Sequence, residues 1–458
     1  MSNSNTAYGF EKISEILSLG EPHIRFLGIG GVSMYSLAVL SLGRGMRVSG
    51  YDKECGKYCK MLLERGVSVS NTPDFATVST ATLVVYSLAI DEADTEFVYA
   101  GSLGIPRVSR ADFLSYLMAD YTYSIAVSGT HGKSTVSAML HEIFSAAGKA
   151  PSSLLGAELS SGEPFSLGGR ELFLYESCEY RDSFLCMRPN TAVITNVEYD
   201  HPDYFKDEAA VVSSFLKCIN RAKDIAILPL DDKNVRSILD EIKVPYLTYG
   251  VSAAADYSYT IDAFLEGGSR FTLYHENTPH SYEIRLIGAH NAANAVCAAV
   301  TALAHGIPSE IIKEALFRFK APSRRLEEIG EYRGRRVFYD YAHHPTEISA
   351  AIGALRTWSS EPITVVFRPH TYSRTKALWD SFVLSLSLAD SVILTDIYAA
   401  REEPIFDITS ERLAKEIGER AAYIADGEIL GVLDKTRGDI ILMGAGEVEN
   451  IKRLILGK

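Results

Sequence analysis

Short apolar strand segments, each followed by a glycine or polar turn and then by a helical pattern, recur along this chain. This order is typical of parallel α/β units, and it constrains the fold more than any other feature. Three series of such units begin at "HIRFLGIGG" (23–31), "YSIAVSG" (123–129) and "RRVFYDYAH" (335–343). We therefore predict three α/β domains, a division that a length of 458 residues also favours.

The predicted domains span residues 1–120, 121–322 and 323–458. The first is predicted to be Rossmann-like and the second to resemble a P-loop ATPase domain. In the third, strands and helices alternate regularly, which predicts a Rossmann-like, doubly wound sheet. Its helices are expected to start near Pro345, Ser373, Ser410 and Gly427.

The composition is that of an ordinary soluble globular protein, with 47% apolar and 22% charged residues. The formal net charge of -13 disfavours nucleic acid as a partner, because that binding depends on Lys and Arg neutralising phosphates. The sequence shows neither a secretion signal nor a long apolar run, so we expect a cytoplasmic location without membrane insertion. The six cysteines lack paired metal-type spacing and are expected to be reduced thiols.

The stretch "SIAVSGTHGKSTV" (124–136) has the composition of a phosphate-binding loop. It lacks the usual glycine five positions before the Gly-Lys pair, where Val127 stands. Its two glycines allow backbone N–H groups to turn inward, and the helix beginning near Lys133 presents its positive dipole end to a phosphate. Lys133 then neutralises the outer phosphates, and Ser134 binds Mg²⁺. Taken alone, the stretch also fits a glycine-rich turn with a surface lysine.

Two other strands of the second domain end near candidate metal ligands. Glu176 follows "LFLY", and His201 lies just beyond "AVITNVEYD". Because the carboxyl ends of parallel strands face one crevice, both residues are predicted to converge on the loop. We predict a catalytic set of Lys133, Glu176 and His201, and a metal-binding set of Ser134, Glu176 and His201. Taken separately, Glu176 also fits a solvated strand end, and His201 a turn residue.

Together these segments resemble the Mur ligase family, whose members build the peptidoglycan precursor. The resemblance rests on "GTHGKST", the Glu176 segment with "DSFL", "TNVEYDHPDYF", "DYAHHPTE", "RPHTYSRT" and the N-terminal "GIGGVSM". It extends in one collinear order from roughly residue 23 to residue 447.

The resemblance implies an ATP-dependent, ADP-forming ligase of three domains that joins L-alanine to UDP-N-acetylmuramate. In such a ligase the substrate carboxylate attacks the γ-phosphate of ATP and forms an acyl phosphate. An amine then displaces the phosphate through a tetrahedral intermediate. A lysine and Mg²⁺ are needed because a carboxylate and a polyphosphate repel each other. Domain closure is expected because the acyl phosphate must be shielded from water.

The resemblance also implies which residues bind each substrate. The residues implied for ATP are Gly129, Thr130, His131, Gly132, Lys133, Ser134, Thr135, Asn294, Arg325 and Asp340. Those implied for the UDP substrate are Gly28, Gly30, Gly31 and Ser87, and those for the amino acid are Tyr341, His370 and Arg374.

Some of these assignments have local alternatives. Adenine is expected beside Asn294, in the first turn of a helix that Asn291 is predicted to cap. The Arg374 guanidinium suits a carboxylate, because it can donate two parallel hydrogen bonds. His370 could accept the proton of the attacking amine, or it could cap its loop. Arg325 and Asp340 could instead form an exposed surface ion pair.

Two departures from the family pattern leave the acyl substrate open. Members usually carry Glu-Ala-Asp-Glu-Ser-Asp where this chain reads "ESCEYR" (176–181), so Cys178 and Arg181 replace two carboxylates. The exchange of Asp for Arg changes the local charge by about two units. Leu88 also stands where a second serine is usual. Alanine, glycine and serine all remain open as the amino acid, because small pockets discriminate weakly between them.

Other functions remain open on the sequence. One is a sister ligase that recycles a tripeptide onto the same UDP sugar, although "RPHTYSRT" favours a single free amino acid. A P-loop ATPase without ligase activity and a non-catalytic precursor sensor are further alternatives. A nicotinamide oxidoreductase would use "GIGG" (28–31) with Asp52, but Ser33 stands at the third glycine position of that fingerprint. The sequence does not indicate an oligomeric state.

Overall fold

The computed structural model describes residues 10–457 except residues 19, 157, 159–161, 277, 401, 446 and 447. Three β-sheets follow one another along the chain, and helices cover them. The predicted class, a three-domain α/β protein, is confirmed. The sheets occupy residues 23–109, 123–284 and 327–443. The domain boundaries predicted at residues 120 and 322 stay predictions.

The first sheet is parallel and five-stranded. Its strands are β1 His23–Leu27, β2 Arg47–Tyr51, β3 Ser68–Ser70, β4 Leu83–Tyr86 and β5 Arg107–Ser109. Its helices are α1 Phe10–Leu17, α2 Val32–Leu42, α3 Lys57–Glu64, α4 Phe75–Val78, α5 Thr95–Ser102 and α6 Arg110–Met118. The order is β3-β2-β1-β4-β5, so the chain reverses direction across the sheet between β1 and β4. Open α/β sheets bind ligands at the carboxyl ends of the strands beside such a reversal.

The second sheet is ten-stranded, in the order β15-β14-β13-β12-β11-β10-β6-β9-β7-β8. These strands are β6 Tyr123–Ser128, β7 Ser152–Leu154, β8 Phe165–Ser166, β9 Leu172–Glu176, β10 Thr191–Ile194, β11 Ile225–Pro229, β12 Tyr246–Gly250, β13 Tyr257–Leu265, β14 Gly268–His275 and β15 Thr278–Ile284. Its helices are α7 Lys133–Ala146, α8 Glu208–Ile219, α9 Lys233–Arg236, α10 Ala289–Ala304 and α11 Ser309–Arg318. The strand β6 is buried between β9 and β10 and runs parallel to both.

The third sheet has six strands, in the order β16-β17-β21-β18-β19-β20. They are β16 Glu327–Tyr332, β17 Arg335–Asp340, β18 Ile363–Phe367, β19 Ser391–Leu394, β20 Ala421–Tyr423 and β21 Asp439–Met443. The helices are α12 Pro345–Trp358, α13 Tyr372–Ala377, α14 Trp379–Leu386, α15 Ser410–Ile417, α16 Ile429–Leu433 and α17 Glu449–Leu456.

Helices cover both faces of this third sheet, as a doubly wound fold requires. One core contains side chains of α12, α14 and α15, and the other contains side chains of α16 and α17. The helices α12 and α15 begin at the predicted residues, and α13 begins one residue early. Across the part of the chain that the structure describes, no helix is long and apolar enough to cross a membrane.

Candidate active site

After β6 the chain turns through a tight glycine loop into α7. Gly129 and Gly132 have φ angles of +146° and +80°, a region that side-chain-bearing residues rarely adopt. A Cβ atom at Gly132 would collide with the Asn294 side chain, so the loop packs directly against α10. Gly132, the N-cap of α7, has no side chain that could cap the first turn of the helix. Its backbone N–H groups therefore remain available to an anion.

The Lys133 side chain lies beneath this loop and is only 13% exposed. Its ammonium group donates to the carbonyl oxygens of Gly129 and, at 3.1 Å, of Thr130. It also lies 3.1 Å from Glu179 Oε2. Burial on its own lowers the pKa of Lys133, but the facing Glu179 carboxylate and its acidic neighbours raise it above the usual value. Lys133 is therefore a cation that Glu179 holds in position.

The predicted metal-binding residues fall into two groups. Ser134 Oγ donates to Glu176 Oε2 at 2.7 Å, and this pair offers the oxygen ligands that Mg²⁺ prefers. His201 belongs to the other group, because its Nε2 lies 3.5 Å from Glu179 Oε1. Among the described residues, no hydrogen bond or ion pair joins His201 to Ser134 or Glu176. Glu179, which stood out in the sequence only as part of an altered motif, connects Lys133 to His201.

The third domain contacts the phosphate loop directly. His131 lies between two carboxylates, with Nε2 3.4 Å from Glu198 Oε2 and Nδ1 3.2 Å from Glu347 Oε1. Thr346 Oγ1 also donates to Glu198 at 2.6 Å. Within the middle domain, Thr130 Oγ1 fixes the same segment by donating to the Glu198 carbonyl at 3.1 Å.

A cavity of about 310 Å³ lies beside the loop, between the second and third domains. Its wall includes six of the residues implied for ATP, namely His131, Gly132, Thr135, Asn294, Arg325 and Asp340. Tyr249, Tyr259 and His290, which were not predicted from the sequence, also line it. Aromatic walls with a few polar groups are typical of sites for flat organic ligands, so the cavity can hold a nucleobase.

The prediction that Asn291 caps α10 is wrong. The helix begins at Ala289, and Gly288 is its N-cap. Gly288 has a φ angle of +95°, which turns the chain into the helix three residues earlier than expected. Asn291 lies inside the first turn and donates to the Ile287 carbonyl at 2.9 Å. Asn294 is consequently in the second turn and not the first.

Asp340 is buried where the third domain begins. Its carboxylate accepts the backbone N–H groups of Leu326 and Ala342, each at 2.7 Å. Burial raises the pKa of Asp340 to about 6, although the nearby Arg325 opposes the change. Arg325 is half-buried and lines the cavity. Asp340 and Arg325 therefore do not form the exposed surface pair that was the alternative.

The residues predicted to bind the amino acid lie together, but one of them already has a partner. Arg374 donates to both carboxylate oxygens of Asp200, at 2.8 Å and 3.2 Å, and both side chains are buried. Arg374 also lies 2.9 Å from His370 Nδ1. Burial, and then the Arg374 cation, lower the pKa of His370 to about 3. So weak a base is a poor acceptor for the amine proton, which favours a positioning role for His370.

Tyr341 is connected to His370 by the ring of His343, a residue that was not predicted from the sequence to be part of the site. The ring centroids of Tyr341 and His343 are 5.3 Å apart, and those of His343 and His370 are 5.9 Å apart.

The residues implied for the UDP substrate lie at the reversal between β1 and β4. Gly28 follows β1 with a φ angle of +82°, and a Cβ atom there would lie 3.4 Å from the Ser87 Cβ. The Gly31 N–H donates to the Gly28 carbonyl at 3.3 Å. The Gly30 N–H donates to Asp52 Oδ2 at 2.8 Å. Asp52 therefore stabilises this loop from within.

We predict that His131 makes stability depend on pH. Although burial lowers its pKa, the carboxylates of Glu347 and Glu198 raise it from 6.5 to about 9. Because the folded-state value is the higher one, the stabilisation is complete below pH 6.5 and is lost as pH rises through 9. Its size is about 3 kcal/mol.

The measurement is urea unfolding at pH 6.5 and pH 9.5, with EDTA present. Wild type should lose more stability than His131→Gln over this interval. His280→Gln, altered at a histidine on β15, serves as the control and should follow wild type. Equal losses in wild type and His131→Gln would contradict the prediction.

Three family descriptions match this chain one after another between residues 23 and 446. The family descriptions that match are "Mur ligase family, catalytic domain" at residues 23–122, "Mur ligase middle domain" at 127–302 and "Mur ligase, glutamate ligase domain" at 324–446. A relative from Caldicellulosiruptor bescii, named UDP-N-acetylmuramate–L-alanine ligase, is 37% identical over 445 residues. The match covers 94% of this chain and 98% of the relative.

Two solved structures have the same fold. A UDP-N-acetylmuramate–alanine ligase from Thermotoga maritima has a TM-score of 0.79 and 24% identity. A murein peptide ligase from Psychrobacter arcticus has a TM-score of 0.74 and also 24% identity. Each comparison covers 95% of this chain and 98% of the solved one.

Proposed function

Because this chain belongs to the Mur ligase family, we propose that it joins L-alanine to UDP-N-acetylmuramate in an ATP-dependent, ADP-forming reaction of peptidoglycan precursor synthesis. The enzyme is an acid–amino-acid ligase. The relative at 37% identity, which matches over nearly its full length, supports this activity. A cytoplasmic location, expected from the sequence, remains part of the proposal.

One observation carries the assignment of residues to this reaction. A continuous series of contacts links the phosphate loop to the predicted amino-acid site. Glu179 lies 3.1 Å from Lys133 and 3.5 Å from His201, and His201 lies 3.9 Å from Asp200. Asp200 in turn holds Arg374. The reaction needs such proximity, because the amine must attack a carbonyl whose phosphate has just come from ATP.

In this proposal the glycine loop and the first turn of α7 bind the ATP phosphates. Lys133 neutralises charge as the phosphoryl group is transferred, and Asn294, Arg325 and Asp340 position the nucleoside in the cavity. Glu179 keeps the lysine ammonium directed toward the loop. The half-buried Arg325 approaches from the third domain, so binding of ATP favours closure of that domain.

Mg²⁺ is the metal that the site residues suit. Ser134 and Glu176 offer two oxygen atoms 2.7 Å apart next to the phosphate loop, and they would hold the ion with the phosphates. When bound, Mg²⁺ supplies positive charge that balances the phosphoryl oxygens. His201 lies farther along the contact series, where it would hold a second ion or a phosphate oxygen.

The two acceptor substrates would bind in the other two domains. Gly28, Gly30, Gly31 and Ser87 line the reversal between β1 and β4 and would hold the UDP part. Tyr341, His370 and Arg374 would bind L-alanine. His370 and Asp200 then orient the Arg374 guanidinium, and the Nη1 and Nη2 hydrogens that these two contacts leave unused take the carboxylate.

The test is phosphate release from ATP and Mg²⁺ in the presence of UDP-N-acetylmuramate. L-alanine, glycine, L-serine, a tripeptide and no acceptor are compared. Release should require both UDP-N-acetylmuramate and a small amino acid, and L-alanine should give the highest kcat/KM. Mass spectrometry of the product should show UDP-N-acetylmuramoyl-alanine.

Each other result favours a different function. Release with the tripeptide alone would favour the recycling ligase, and release without any acceptor would favour a P-loop ATPase. Phosphate release that does not depend on the UDP sugar would indicate that Cys178 and Arg181 belong to a site for a different acid.

A further inference from the structure

A further group of candidate metal ligands lies where the phosphate loop meets the third domain, apart from Ser134 and Glu176. It consists of His131 in the loop, Glu198 after β10 and His344 before α12. One ligand atom from each lies within 4.8 Å of the other two. His131 Nε2 is 3.4 Å, and His344 Nδ1 is 3.9 Å, from Glu198 Oε2.

These separations approach those of a tetrahedral zinc site, in which ligand atoms lie about 3.3 Å apart. Side-chain movements of roughly 1 Å would complete the geometry. The imidazole rings of His131 and His344 already lie close, with centroids 4.6 Å apart and a tilt of 44°. Three protein ligands leave a fourth position for water or a phosphate oxygen.

Each histidine ring is held in place through its outer nitrogen, the one that points away from the other candidate ligands. Nδ1 of His131 lies 3.2 Å from Glu347 Oε1, and Nε2 of His344 lies 3.3 Å from the Tyr199 carbonyl oxygen. Histidines that ligate metals are typically held by a carboxylate or carbonyl on the outer nitrogen, which directs the inner lone pair at the ion. His131 Nε2 is buried and makes no hydrogen bond among the described residues, so a bound ion would satisfy it.

We propose that His131, Glu198 and His344 bind one divalent cation of the zinc type, and that this ion fastens the third domain to the phosphate loop. Two imidazole nitrogens favour Zn²⁺ over Mg²⁺, whereas the oxygen pair of Ser134 and Glu176 favours Mg²⁺. Two ligands come from the middle domain and one from the third. The ion is therefore a cross-link between domains. The site goes beyond the ligase reaction, because its ligands require neither nucleotide nor substrate.

Without an ion, His131 carries a proton that a binding cation must displace. Glu198 and Glu347 face His131 with negative charge and keep it protonated. Burial, and then the nearby His131, lower the pKa of His344 to about 4, so that ring is neutral. Its Nδ1 lone pair accepts the Thr346 N–H at 3.3 Å, and a bound ion would take the place of that capping hydrogen bond.

The test is a Co²⁺ titration of the full-length, chelator-treated protein at pH 8, without ATP or substrates. Bound Co²⁺ is read by its visible absorption, and thermal melts with Zn²⁺ measure stabilisation. Wild type should give a saturable one-to-one absorption band and a higher Tm with Zn²⁺. His344→Asn and Glu198→Gln should lose both effects. Glu347→Gln should bind about tenfold more weakly, since it removes an outer partner of His131.

His280→Asn controls for binding at histidines elsewhere and should match wild type. The proposal is overturned if wild type gives no Co²⁺ band, or if the band persists unchanged in both His344→Asn and Glu198→Gln. Circular dichroism of the metal-free variants checks folding, because His344 also caps α12. If His344→Asn does not fold, the isosteric Glu198→Gln decides the result. Phosphate release with Mg²⁺ tests the ligase function separately, so the two failures are distinguishable.

Discussion

Replacing Lys133 with alanine should lower phosphate release by about 10³-fold when ATP, Mg²⁺, UDP-N-acetylmuramate and L-alanine are all present. Lys133 is the half-buried cation of the phosphate loop, and Glu179 and two loop carbonyls fix its position. Without it, the negative charge that develops during transfer faces Glu179 and Glu176 with less compensation. The loss should appear mainly in kcat, measured by steady-state phosphate release at saturating substrates.

Lys149→Ala is the matched control, because Lys149 is an exposed lysine just beyond the end of α7. It should behave like wild type. Lys133→Ala leaves Glu179 buried without its cation, so the melting temperature and circular dichroism of this variant must be measured as well. A folded Lys133→Ala enzyme that keeps more than about a tenth of wild-type kcat would contradict the assignment.

Asp200→Asn should destabilise the protein by about 3 kcal/mol, because it leaves the Arg374 guanidinium buried without its anion. The pair lies between the second and third domains, and each side chain is only 6% exposed. Arg356→Ala provides a control in the third domain. Its ion pair with Asp390 is 40% and 46% exposed, and its loss should cost less than about 1 kcal/mol. The measurement is the free energy of unfolding of each variant in urea.

Variants of Asp200 and Arg374 also distinguish two possible roles of Arg374. If Arg374 binds the alanine carboxylate, Arg374→Ala should raise the KM for L-alanine more than Asp200→Asn does. The Asp200→Asn/Arg374→Ala double variant should then keep that high KM while recovering part of its stability. If Arg374 serves only to join the domains, the two single variants should have the same KM for L-alanine, and the amino-acid assignment would fail.

Much of the fold could be predicted because it depends on local patterns. Alternating strand and helix segments determine a parallel sheet, and a proline at position 345 or a serine at 410 marks a helix start by local chemistry. The N-cap of α10 was mispredicted for a similarly local reason. A glycine in the left-handed region at 288 turned the chain into the helix earlier than the polar Asn291 suggested.

The pairing of side chains between domains could not be predicted in this way. The contact of Asp200 with Arg374 spans 174 positions of sequence, and that of His344 with the Tyr199 carbonyl spans 145. Asp200, Glu347 and His344 all lie inside segments that were recognised by resemblance. Nothing in the local pattern showed that they face one another, because these contacts depend on how the third sheet docks on the second.

The sequence by itself therefore determined the three α/β domains, the phosphate loop with Lys133, and membership of a ligase family. Each of these features depends on residues that are neighbours in the sequence. Three contacts were decided only by the tertiary structure. Glu179 links Lys133 to His201, Asp200 forms an ion pair with Arg374, and His131 contacts a carboxylate of the third domain. The physical reason is that burial and charge pairing between distant segments set the ionisation and orientation of these groups. Neither property exists until the domains pack together.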